Sequence, residues 1–140
     1  MNGLLPALGY GVAYGLVGTL VLIGSWYVLD LLTPGRLGDT MRESHSAALV
    51  GATWMVTQGA ILFTAIWTNA GSGLGTELVW TVAFGAVGVL LQTAAFWLVD
   101  LVTPGRLGAE VVEPGPVRPL ARLSAGVMVA VALVVVASIA

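Results

Sequence analysis

Cysteine and lysine are absent from this 140-residue chain, histidine occurs once, and charged side chains make up 9% of it. Each shortage closes a class of function. Without cysteine there is no disulfide framework, no thiolate metal site and no thiol-redox chemistry. With His45 as the single histidine, one chain cannot give a haem two axial imidazoles. Five arginines and a net charge of -2 supply no basic surface for nucleic acid. A soluble domain carries roughly 25% charged residues, so the polar surface needed to face water on all sides is missing.

What is present is apolar: 58% of the residues, with a mean hydropathy of +0.98. A helix needs about 20 apolar residues to cross the ~30 Å hydrocarbon layer. Four continuous runs meet that length, from Leu4 or Tyr10 to Leu32, Ser46 to Thr68, Leu78 to Val102, and Leu123 to Ala140. Membrane strands would alternate apolar and polar residues over ~10 positions, which these runs do not. The chain therefore reads as an all-α membrane protein of four transmembrane helices. The first run has no basic residues ahead of it and is too long for a signal-peptide core, so it is expected to stay in the mature protein.

Charge placement sets the orientation. Arg36, Arg42, Arg106, Arg118 and Arg122 all fall in connections 33–45 and 103–122, whereas connection 69–77 holds only Glu77. Arginine-rich short loops stay in the cytoplasm. Both arginine loops are thus expected to be cytoplasmic and both termini outside. Trp26, Tyr27 and Trp97 fit one aromatic belt and Tyr10, Trp67 and Trp80 the other, while Trp54 fits neither.

The chain repeats itself. Val12–Gly38 and Val82–Gly108 agree at 14 of 27 positions with a shift of 70 residues. Residues 1–72 and 73–140 are accordingly two copies of a helical hairpin, a tandem repeat. Two spans per copy give both copies the same orientation, so a pseudo-two-fold axis along the membrane normal is expected.

The shared block is Asp-Leu-x-Thr-Pro-Gly-Arg-Leu-Gly, Asp30–Gly38 and Asp100–Gly108. Pro34 and Pro104 push Thr33 and Thr103 out of helical angles and end the helix, and Gly35 and Gly105 suit positive φ in the turn that follows. Asp30 and Asp100 then lie in the last helical turn, where the macrodipole disfavours a carboxylate by roughly 0.3 to 1 kcal/mol. Arg36 and Arg106 are the expected compensating partners. Two readings of the aspartates stand: a latch that pins the turn, or an ion or proton site at the end of the spans.

Other features point to packing. Ala7, Gly11, Gly15 and Thr19 form a small-residue stripe that suits close helix approach, and Gly85 and Gly88 continue the theme in the third span. Gln58 and Gln92 fall near mid-span, as buried helix glue or as the lining of a polar path that Thr57 would join. His45 reads as a polar boundary residue. No nucleophile with a base, no phosphate-binding loop and no metal-ligand spacing occurs, so neither enzyme activity nor a cofactor is expected.

Asp-Leu-Leu-Thr-Pro-Gly (Asp30–Gly35) ending a glycine-rich span, and Arg-Glu-Ser-His-Ser-Ala-Ala (Arg42–Ala48) opening the next, resemble the YjfL-type family of small bacterial inner-membrane proteins of unknown function. The second copy departs at Glu113–Pro119, where Glu-Pro-Gly-Pro-Val-Arg-Pro replaces that opening. The resemblance implies the fold and location, and a genomic setting shared with peripheral phage-shock-type proteins that hints at envelope stress. The functional expectation is a non-enzymatic structural or adaptor membrane protein. Its partners are lipid, further copies of itself and a cytoplasmic peripheral protein. The alternative is a small ion or proton channel or transporter, with Asp30 and Asp100 at a cytoplasmic mouth and Gln58 and Gln92 deeper.

Overall fold

A computed structural model describes residues 3–104 and 106–140. It holds four long helices, α1 (Leu4–Leu32), α3 (His45–Asn69), α4 (Leu74–Val102) and α6 (Pro119–Ile139). Each is long and apolar enough to cross a membrane. Two short helices follow the Pro-Gly turns, α2 (Leu37–Thr40) and α5 (Leu107–Val112). There is no strand among the described residues, only a single parallel bridge between Ser44 and Gly115.

The helix ends obey local chemistry. Thr33 and Thr103, each held ahead of a proline, adopt extended angles (φ -103, ψ 136 and φ -98, ψ 134) and stop α1 and α4. Gly35 takes φ 89 in the turn; Gly105, its expected counterpart, lies outside the described residues. α4 begins four residues before the run expected from hydropathy, at Leu74, after Gly73 at φ 99. α6 also begins four residues early, because Pro119 sits in its first turn, where the missing N–H costs nothing.

The core lies in the arginine-bearing half of the bundle. Leu29, Val50, Trp54, Phe96, Val99 and Met128 form its centre, and Leu37 and Leu107 close its end. Those two leucines are fully buried, so each short helix acts as an apolar plug under its own turn. Trp54 fits no aromatic belt because it is a core residue, donating from Nε1 to Ser25 Oγ at 2.6 Å.

α3, α4 and α6 pack together in all three pairs, and α1 packs on α3 and α4. α1 is peripheral, burying only Ser25 and Leu29. The glycines explain the difference between α1 and α4. A Cβ on Gly85 would lie 2.7 Å from Val21 Cγ1, and one on Gly88 would lie 2.8 Å from Ile61 Cδ1 and 2.9 Å from Gln58 Oε1. Their counterparts in α1, Gly15 and Gly18, would meet nothing within 4 Å. One glycine pair is thus used inside the chain, and the other faces outward.

Candidate functional site

The two Asp-to-Arg blocks adopt the same local design. Asp30 Oδ1 accepts the Leu37 N–H at 2.7 Å, and Asp100 Oδ1 accepts the Leu107 N–H at 2.6 Å. Each carboxylate therefore reaches across the Pro-Gly turn and holds the first residue of the plug helix with a charge-assisted bond. Thr33 Oγ1 donates to Leu29 O at 3.2 Å and Thr103 Oγ1 to Val99 O at 2.5 Å, each satisfying a terminal carbonyl of its own helix.

This corrects the expected pairing. Neither aspartate is matched by Arg36 or Arg106, since Arg118–Glu113, at 2.6 Å, is the only ion pair among the described residues. The reason is reach: the turn brings the Leu37 and Leu107 amides onto the carboxylates, while both guanidiniums remain exposed. Arg42 and Arg122 are exposed at the same end.

A seam joins the two arginine-bearing connections. The Gly115 N–H donates to Glu43 O at 2.9 Å, and the His45 N–H donates to Gly115 O at 3.0 Å. Ser44 Oγ donates to Val111 O at 2.7 Å, and Ser46 Oγ accepts the Arg118 N–H at 2.8 Å. His45 Nδ1 lies 2.9 Å from Gly115 O. The segment where the second copy departs from the first, 113–119, is thus the strip that covers the opening of α3.

Gln58 and Gln92 are fully buried and come together as expected of glue. Gln58 Nε2 donates to Gly85 O at 2.8 Å, and Gln92 Nε2 lies 3.5 Å from Gln58 Oε1. Thr57 does not join them, because its hydroxyl donates to Thr53 O and Trp54 O of its own helix.

At the opposite end sits a group that the sequence reading passed over. Glu77 is 2% exposed. Its Oε1 accepts the N–H groups of Gly71 (2.7 Å) and Gly73 (3.1 Å), and its Oε2 accepts the Tyr14 hydroxyl. It folds the α3–α4 turn and ties α1 to α4. The available signal was a lone carboxylate immediately after a glycine-rich turn. No group of three or more metal-ligating side chains occurs among the described residues.

A family model described as Domain of Unknown Function (DUF350) matches residues 3–139. A UPF0719 transmembrane protein of Mycolicibacterium paratuberculosis is 32% identical over 117 residues, covering 81% of this chain and 76% of that protein. UPF0719 transmembrane proteins of Mycobacterium bovis and Mycobacterium tuberculosis are each 30% identical over 130 residues, 91% of this chain and 84% of theirs. No solved structure matches the chain.

Proposed function

The chain belongs to the DUF350 family, whose relatives above are named only as transmembrane proteins, and from that premise we propose a non-enzymatic structural or adaptor role in a bacterial inner membrane. The arginine-bearing end is its cytoplasmic contact surface, for anionic lipid or a peripheral protein. One observation carries the reading: each motif carboxylate bonds a backbone amide of its own turn and neither pairs with Arg36 or Arg106, which are exposed. An exposed guanidinium at a membrane surface attracts an anionic headgroup or partner.

Two further features support parts of this reading. α1/α4 and α2/α5 begin at positions 70 residues apart and carry matching latches, which supports a tandem duplication. Ala7, Gly11, Gly15 and Thr19 are exposed on α1, which suits packing against a second copy. The YjfL-type resemblance, with its phage-shock-type setting, makes envelope stress the natural context. The bond from Gln58 to Gly85 O across the α3–α4 contact supports glue over a permeation path.

The test is reconstitution of the full chain, with native mass and captured cytoplasmic proteins measured for the wild type and for a variant carrying Arg36→Gln, Arg42→Gln, Arg106→Gln and Arg122→Gln. The reading expects an oligomer in both and loss of the captured partner or anionic lipid in the variant. Ion or proton flux from reconstituted wild type that changes in Asp30→Asn/Asp100→Asn overturns it in favour of a channel.

A further inference from the structure

A cleft of about 440 Å³ opens at the arginine-bearing end, between the last turns of α1 and α4 and the start of α5. Its walls change character with depth. Leu31, Phe96 and Trp97 make an apolar floor continuous with the lipid-facing surface, where Leu31 and Trp97 are 86% and 65% exposed. Asp100 and Arg106 both line the cleft. Gly108 closes one side against the first turn, since a Cβ there would lie 3.0 Å from Pro34 Cδ. At Gly38, the equivalent position of the first copy, a Cβ would meet nothing within 4 Å.

These charges are complementary to a particular headgroup. Asp100 uses Oδ1 for the Leu107 amide, and no bond among the described residues engages its Oδ2. Arg106 is exposed and is not within ion-pairing distance of Asp100. One anion and one cation that line a single cleft without pairing match a molecule that carries both charges a short spacer apart. The apolar side chains of the same cleft suit an acyl chain, and tryptophan favours the headgroup level.

We propose that this cleft binds a zwitterionic amine phospholipid of the phosphatidylethanolamine class, with its phosphate on Arg106, its ammonium on Asp100 and one acyl chain along Leu31, Phe96 and Trp97. The inference rests on reading the arginine-bearing end as a contact surface, and it narrows one part of that surface to one lipid. An anionic lipid without the amine would face Asp100 unfavourably. A quaternary choline headgroup would give the carboxylate no N–H donor.

The experiment is native mass spectrometry of the full chain released from nanodiscs containing equal parts of phosphatidylethanolamine, phosphatidylglycerol and phosphatidylcholine. The wild type is expected to retain phosphatidylethanolamine over the other two. Arg106→Gln and Ala109→Phe are expected to lower that retention roughly tenfold, the scale of one charged contact. Ala109 lines the cleft but takes no part in the latch, so its variant fills the site without disturbing the turn. Asp100→Asn keeps an acceptor for Leu107 and is expected to shift the preference toward phosphatidylglycerol. Equal retention of the three lipids, a preference indifferent to Ala109→Phe or Asp100→Asn, or displacement of the lipid by soluble phosphoethanolamine alone overturns the site. Loss of lipid preference with intact partner capture sinks this inference alone. Intact preference with no partner or anionic-lipid capture sinks the adaptor reading alone.

Discussion

Replacing Gly88 by alanine should damage the fold, whereas the same change at Gly18, 70 residues earlier in a matching sequence context, should not. The added methyl at Gly88 would stand 2.8 Å from Ile61 Cδ1, 2.9 Å from Gln58 Oε1 and 3.3 Å from Ile61 Cγ2. None of these groups has room to retreat: Ile61 and Gln58 are fully buried, and the Gln58 amide is held by Gly85 O at 2.8 Å. Overpacking a buried contact costs about 1 to 3 kcal/mol, and a weakened interhelical hydrogen bond adds about 0.6. At Gly18 the methyl meets nothing within 4 Å, so only the intrinsic helix preference of alanine acts, roughly 0.5 to 1 kcal/mol in its favour. That preference acts equally at Gly88 and cancels, so reversible unfolding in mixed detergent–lipid bicelles should separate the two variants by about 1.5 to 3.5 kcal/mol. Native mass would report separately on any effect of Gly18→Ala on assembly. Equal stabilities would refute the register of α4 on α3, and with it the account of why α1 and α4 are used differently.

The remaining predictions concern single polar contacts. Asp30→Ala and Asp100→Ala should each cost about 1.5 to 3 kcal/mol, the range for bonds to charged groups, and speed hydrogen exchange at the Leu37 and Leu107 amides. The asparagine variants should recover most of both; unchanged exchange in the alanine variants would remove the latch. Trp54→Phe leaves the Ser25 hydroxyl buried without its donor and should cost about 1 to 3 kcal/mol. A cycle with Ser25→Ala should then give a coupling of about 0.6 to 1.7 kcal/mol, and zero coupling would mean that the bond contributes nothing. Tyr14→Phe takes one of three donors from a buried carboxylate and should destabilise by about 1 to 3 kcal/mol. Spin labels on α1 and α4 should show the glycine-turn ends of those helices farther apart, and an unchanged distance would remove Tyr14 as a tie.

The spans were legible because hydrocarbon thickness imposes a length that any apolar run must meet. The first and second agree with α1 and α3 to within about a residue. The third and fourth start earlier than expected because helical geometry tolerates Gly75, Thr76 and Glu77 at one entry and Pro119 and Arg122 at the other, where hydropathy alone reports an interruption. Turn chemistry was equally readable, since Pro34 and Pro104 act on their immediate neighbours. What escaped were partners set by tertiary closeness. Asp30 sits six residues from Arg36 and seven from Leu37, and sequence distance cannot say that the turn delivers the amide instead of the guanidinium. The Trp54–Ser25, Tyr14–Glu77 and Gln58–Gly85 bonds span 29, 63 and 27 residues, beyond any local pattern. Gln58 and Gln92 stood out in the sequence because an amide in hydrocarbon must find a partner, but the sequence left glue and polar path as alternatives.

The seam between residues 43–46 and 111–118 bears on how the protein is made. Its bonds link positions 67 to 72 residues apart, so the first hairpin emerges from the ribosome with its edge open and waits for most of the chain. In that interval water at the membrane surface satisfies Glu43 O and Ser44 Oγ. A nascent chain arrested after α4 would display this unfinished edge to quality-control proteases, while one extended past Arg118 would not. Two half-chains, severed in the glycine turn at 71–73 and synthesised separately, would carry in this strip the means of finding each other.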